Sequence, residues 1–107
     1  MKKTKFELKK YNEERNAIIK EIKDFNTPVG ELPLQKYKYI SNDKTIYIYQ
    51  NDENQVINFW IYRGYEASVE LIYSSGGKEI IYNNIDSNYI KQIKELKDNW
   101  YYVEISY

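Results

Sequence analysis

The chain of 107 residues contains no cysteine and no histidine. Their absence removes disulfides, zinc–thiolate and iron–sulfur sites, histidine metal ligation, and every nucleophile system built on a thiol or an imidazole. Arginine is scarce too: only Arg15 and Arg63 occur, so the planar fork that grips phosphates bidentately is nearly missing. Net charge is absent, because sixteen basic residues balance sixteen acidic ones. Dedicated nucleic-acid binders carry a basic excess and DNA mimics a strongly acidic one, so the balance weighs against both classes. No apolar run approaches the roughly 18–20 residues that cross a bilayer. After Met1-Lys2-Lys3, where a signal peptide would turn apolar, Glu7, Glu13 and Glu14 intervene. No EF-hand loop, phosphate-binding loop or dinucleotide fingerprint is present, and no acidic cluster suggests a carboxylate-only cation site. The expectation is a cytoplasmic, non-enzymatic protein with no cofactor, no metal and no membrane contact; the lack of cysteine fits a reducing compartment.

What the chain has in abundance is tyrosine, thirteen in all. Part of that count follows from AT-rich codons, which also favour Lys, Asn and Ile. The rest is patterned: Tyr47-Ile48-Tyr49, Phe59-Trp60-Ile61-Tyr62, Ile81-Tyr82 and Tyr101-Tyr102-Val103 alternate aliphatic with aromatic residues. Successive strand side chains point to opposite faces, so the spacing predicts a sheet with one aliphatic and one aromatic face. The aliphatic face comprises Ile46, Ile48, Ile57, Phe59, Ile61, Val69, Leu71, Val103 and Ile105; the other carries Tyr47, Tyr49, Trp60, Tyr62 and Tyr102. A register slip of one residue would exchange the faces of any strand.

Length suits one domain, residues 1–107. Residues 1–26 read as an amphipathic helix: Thr4 and Glu7 form a capping box, and Leu8, Tyr11, Arg15, Ile18, Ile22 and Phe25 recur at spacings of three and four. Arg15 interrupts that stripe, which favours packing on a sheet over a lone coiled coil. Residues 27–35, with Pro28, Gly30 and Pro33, read as a connector. Strands are expected near 36–41, 44–50, 55–63, 68–74 and 78–83, separated by turn-forming runs. Asp86 or Ser87 would then cap a helix over 86–99 with Tyr89, Ile90, Ile93 and Leu96 on one side, and residues 100–107 form a final strand. The fold class is therefore α+β: an antiparallel sheet of five to six strands, with an N-terminal amphipathic helix and a second helix before the last strand.

Candidate binding residues are Tyr47, Tyr49, Trp60, Tyr62, Arg63 and Tyr102, because Tyr, Trp and Arg dominate interface hot spots. The competing explanations are that a helix or second layer covers the aromatic face, or that cross-strand tyrosines only stabilise the sheet, by about 0.2–1 kcal/mol per pair. Ser74-Ser75-Gly76-Gly77-Lys78 resembles an anion cradle but reads better as a hairpin turn, since Lys78 to Tyr82 looks extended. Glu70 and Glu79 would face each other across that hairpin as solvated edge charges. Residues 1–24 hold eight basic and five acidic side chains, the remainder eight and eleven, as for a positive helix lying on an acidic sheet. The inventory points to a small binder that occludes a larger protein partner, of the kind used as phage inhibitors of bacterial defence or as toxin-immunity proteins. The alternative is an oligomeric sponge or sensor for a nucleotide-like ligand, and a heptad-like helix leaves a homodimer open.

Overall fold

The structure is a computed structural model and describes residues 11–24, 29–51, 53–97 and 99–107. Thr4, Glu7, Leu8 and Phe25, which carry the predicted cap and the ends of the helical stripe, lie outside the described residues. The chain forms helix α1 (Asn12–Asp24), strands β1 (Gly30–Pro33), β2 (Thr45–Asn51), β3 (Asn54–Arg63) and β4 (Ala67–Ser74), helix α2 (Lys78–Asn84), and strands β5 (Ile90–Lys97) and β6 (Trp100–Ser106). All strand pairs are antiparallel and form one sheet in the order β1-β2-β3-β4-β6-β5. The expected α+β class, six strands with helices before and within them, is what the chain adopts.

A helix packs on each face of the sheet. Ile18, Ile19 and Ile22 of α1 pack on Ile46, Ile48, Ile57, Phe59, Leu71 and Trp100. On the other face Ile81 of α2 joins Val56, Ile72, Tyr101, Val103 and Ile105. Arg15, which interrupted the helical stripe, is buried rather than turned away. Its guanidinium lies over the rings of Tyr11 and Phe59 and donates to the Ile40 carbonyl at 3.2 Å. It therefore acts as a core residue: a planar cation stacked on aromatic rings with a backbone acceptor at its tip.

Three elements differ from the sequence expectation. Residues 36–41 are not a strand; Tyr37 adopts a left-handed conformation (φ 56°) and Lys38–Ile40 form a 3-10 turn, while the edge strand comes from residues 30–33 in the expected connector. Residues 78–83 form α2, not a strand. Gly77 at φ 82° turns the chain into a helix of seven residues, too short for its apolar spacing to be readable beforehand. The helix expected over 86–99 does not form: Asp86 caps only a 3-10 turn, Ser87–Tyr89, and Ile90–Lys97 is the edge strand β5. Ile90 lies opposite Ile105 and Ile93 opposite Val103, with an irregularity between Ile90 and Gln92. One extra residue at such a bulge restores both isoleucines to the same face, so a spacing of three imitates a helical period. Asn99, expected to end the helix, sits instead in the β5–β6 turn at φ 72°.

If α2 is what closes the second face, shortening Ile81 leaves a void at a fully buried position. Ile81→Ala is expected to destabilise the protein by about 2–5 kcal/mol in urea unfolding. A loss below 1 kcal/mol, roughly that of a surface change, would mean that α2 does not seal this face.

Candidate functional site: a cleft over Glu70

The aromatic face is covered only in part. Residues paired directly across strands share a face, so Glu31, Tyr47, Asn58 and Ile72 form one row and Trp60, Glu70 and Val103 the next, followed by Arg63, Ser68 and Ile105. α2 closes over one end of these rows. Asn84, Ile85, Asp86 and Tyr89 then run past the other end, leaving a cleft of about 370 Å³ between this segment and Tyr47, Asn58, Trp60, Arg63 and Glu70. Tyr107 stacks at a tilt on Tyr89, with ring centroids 5.5 Å apart, and completes the rim.

A carboxylate forms the floor. Glu70 is 1% exposed. Its Oε1 accepts from Asn58 Nδ2 at 2.6 Å and its Oε2 from the Ser68 hydroxyl at 3.3 Å. Burial raises the Glu70 carboxyl from its ordinary 4.5 to about 7, against the opposing pull of those two hydrogen bonds and of the Arg63 charge. Asn58 is 3% exposed, and its Oδ1 has no hydrogen-bond partner among the described residues; the same holds for the buried Trp60 Nε1. Such orphans are uncommon in folded proteins, where about nine in ten buried polar groups are paired.

Arg63 forms one wall. Its guanidinium lies 4.4 Å from the Trp60 ring centroid and bonds Glu31 at 2.8 Å and Asp43 at 2.5 Å. Burial works against ionisation of Asp43, yet hydrogen bonds from Thr45 and Arg63 hold its carboxyl below the usual value. The side chain of Arg63 is thus anchored by partners within the protein.

Of the six residues singled out from sequence, the fold brings Tyr47, Trp60 and Arg63 together at this cleft. Tyr49 shares their face but packs against the second core cluster, beside Val56 and the α2 contacts. Tyr62 and Tyr102 lie on the opposite face. The reason for Tyr62 is a bulge: Trp60 pairs with Glu70 and Tyr62 with the adjacent Val69, so two steps along β3 match one along β4 and the alternation reverses. Tyr102 pairs with Leu71, on the α1 side, and its hydroxyl donates to Glu104 at 2.7 Å. Val103 and Ile105, assigned to the aliphatic face, belong to the second core under α2. Glu70 is buried rather than a solvated edge charge, and Glu79 sits exposed on α2. Asn58, Glu70, Glu31, Asp86, Tyr89 and Tyr107 were not recognised. The available signal was a polar residue inside each of two apolar strand runs, Val56-Ile57-Asn58-Phe59 and Val69-Glu70-Leu71-Ile72.

The other features offer less. A cavity of about 560 Å³ lies between α1 and residues 38–44, lined by Tyr11, Arg15, Tyr39 and Lys44. Its groups are engaged within the protein: Arg15 with Ile40, the Tyr39 hydroxyl with Glu14, and the Ser41 hydroxyl with the Trp60 amide. The Ser74–Lys78 run is a strand-to-helix corner whose hydroxyls serve the turn, Ser74 donating to the Gly77 carbonyl at 2.6 Å and Ser75 accepting from the Gln55 amide at 2.8 Å. Among the described residues no acidic group is arranged to hold a metal ion, and no helix is long and apolar enough to cross a membrane. Comparison with protein-family models, curated proteins and solved structures finds no match to this chain.

Glu70 makes stability depend on pH with a defined sign. Its folded-state value lies above its unfolded one, so the unfolded chain releases this proton first as pH rises from 4.5 to about 7. Stability attributable to Glu70 is full below 4.5 and falls across that window, by about 3 kcal/mol in all at 1.36 kcal/mol per unit. Glu70→Gln is expected to flatten this slope and to unfold at higher urea than the native chain near pH 8. Identical slopes in the two proteins would show that Glu70 is solvated.

Proposed function

We propose that the protein is a non-catalytic binding protein that acts by occupying the surface of a larger protein, with the cleft over Glu70 as the pocket receiving one partner side chain. The observation that carries this reading is the combination of a buried, incompletely bonded polar floor with aromatic walls. Buried donors and acceptors cost about 1–3 kcal/mol each when unmatched, and a partner group entering the cleft would recover that cost. Rim tyrosines support the same reading: Tyr89 is 44% and Tyr107 68% exposed, and tyrosine at a rim contributes large contact area with little entropy loss. The cleft is near the lower end of the 300–1,000 Å³ or so typical of small-molecule pockets, which suits a single side chain better than a free nucleotide.

A catalytic reading has one observation in its favour, the raised value of Glu70 in a cleft. The neighbouring carboxylates argue against it, because each is already held within the protein. Glu31 binds Arg63, and Asp86 accepts from the Asn88 amide at 2.9 Å. Neither is left poised as a second acid or base.

The reading predicts which face matters. In capture experiments from cell extract, a protein retained by the native chain should be lost with Asn58→Leu and Trp60→Ala but kept with Tyr62→Ala, all with unchanged far-UV circular dichroism. Retention by the two cleft variants with loss by Tyr62→Ala would move the interface to the α1 face and contradict the proposal.

A further inference from the structure

We infer that the side chain received by the cleft is cationic, a lysine ammonium or an arginine guanidinium. The inference rests on the cleft being the recognition site, and it follows from the charges and bonding capacity around it. Three carboxylates line the cleft, Glu31, Glu70 and Asp86, against the single cation Arg63. That cation is committed to Glu31 and to Asp43. An incoming anion, phosphate included, would meet Asp86 and, as Glu70 ionises, a second negative charge, while the arginine among the described lining residues is already paired. The nucleotide-like ligand expected as an alternative fits this electrostatic setting poorly.

The floor asks for donors. A carboxylate offers about four acceptor positions, and Glu70 uses one on each oxygen for Asn58 and Ser68. Asn58 Oδ1 adds an acceptor with no partner among the described residues. Ammonium and guanidinium groups carry several N–H donors and no acceptor, so they match this surface. An apolar side chain would leave Asn58 Oδ1 and the remaining Glu70 acceptor positions without hydrogen bonds. The lining favours the same group, since Tyr47, Trp60, Tyr89 and Tyr107 border the cleft and aromatic rings attract cations.

A cation beside Glu70 favours its ionised form, so binding strengthens as pH rises and releases a proton. The groups facing Glu70 are Asn58 and Arg63 on β3, Ser68 on β4, Tyr47 on β2, Glu31 on β1, Asp86 and Tyr89 in the α2–β5 segment, and Tyr107 after β6. Burial raises the Glu70 carboxyl to about 7, so its proton is the one placed between pH 6 and pH 8.

The test is an NMR titration of the intact ¹⁵N-labelled chain, followed at the two indole N–H signals of Trp60 and Trp100. The probes are N-acetyl-lysine methylamide and N-acetyl-arginine methylamide, their norleucine and glutamate counterparts, and spermidine. The basic probes should shift Trp60 but not Trp100, bind up to about tenfold more tightly at pH 8 than at pH 6, and lose about tenfold or more in Glu70→Gln, with the pH dependence gone. Norleucine or glutamate binding as well as lysine at Trp60 would overturn the cationic assignment while leaving the cleft as the site. No shift at Trp60 with any probe would overturn both. Spermidine binding far more tightly than the lysine probe would assign the cation to a free amine rather than to a partner's side chain.

Discussion

A sheet with apolar side chains on both faces has to be covered twice, and this chain of 107 residues does so with two helices of unequal size. The larger helix, α1, spreads Ile18, Ile19 and Ile22 over β2, β3 and β4, with Arg15 lodged between Tyr11 and Phe59 as part of the same layer. The smaller, α2, has seven residues and inserts Ile81 at the β3–β4–β6 end of the other face. Seven residues at 1.5 Å each extend about 10 Å, which cannot cover a sheet of six strands. Part of the uncovered remainder of that face is the cleft. Its existence is thus a consequence of covering area: the helix that seals the second face is too short to finish the task.

The chain places polar side chains where the cover ends. Asn58 and Glu70 occupy inward positions of the two central strands, in runs otherwise made of Val, Ile, Leu and Phe. Burying a carboxylate is unfavourable unless it is bonded, and two hydrogen bonds only partly offset the cost, as the raised Glu70 value records. Replacing both by leucine would give a simpler core. Together with an arginine clamped between Glu31 and Asp43 and stacked on Trp60, they form a polar surface held by internal bonds, as the proposed binding role requires. Preorganisation of this kind lowers the entropy lost on association.

How much was legible in the sequence depends on local regularity. β2, β3, β4 and β6 followed from runs of β-branched and aromatic residues bounded by turn residues, and the body of α1 followed from its three–four spacing. What failed was regularity broken by one residue. The bulge after Trp60 turned Tyr62 to the α1 face, and the irregularity after Ile90 spaced Ile90 and Ile93 like a helix although they lie in a strand. A bulge is set by pairing with the neighbouring strand, so a single-strand pattern carries no trace of it. The same limit applied to the site. Tyr47, Trp60 and Arg63 could be chosen by residue type, but Glu31, Asp86, Tyr89 and Tyr107 reach the cleft only through the path of β1 and of the segment after α2. Glu70 could be noticed as a charge in an apolar strand, yet which face it occupied depended on register.

The central claim is that the floor of the cleft is a buried carboxyl group, to which the proposed partner side chain would bind. The most direct measurement is the pH titration of the Glu70 side-chain carboxyl carbon by ¹³C NMR in the intact protein. The account predicts a midpoint near 7. A midpoint near the ordinary 4.5 would mean that water reaches Glu70 freely and that the cleft holds no buried charge for a ligand to meet.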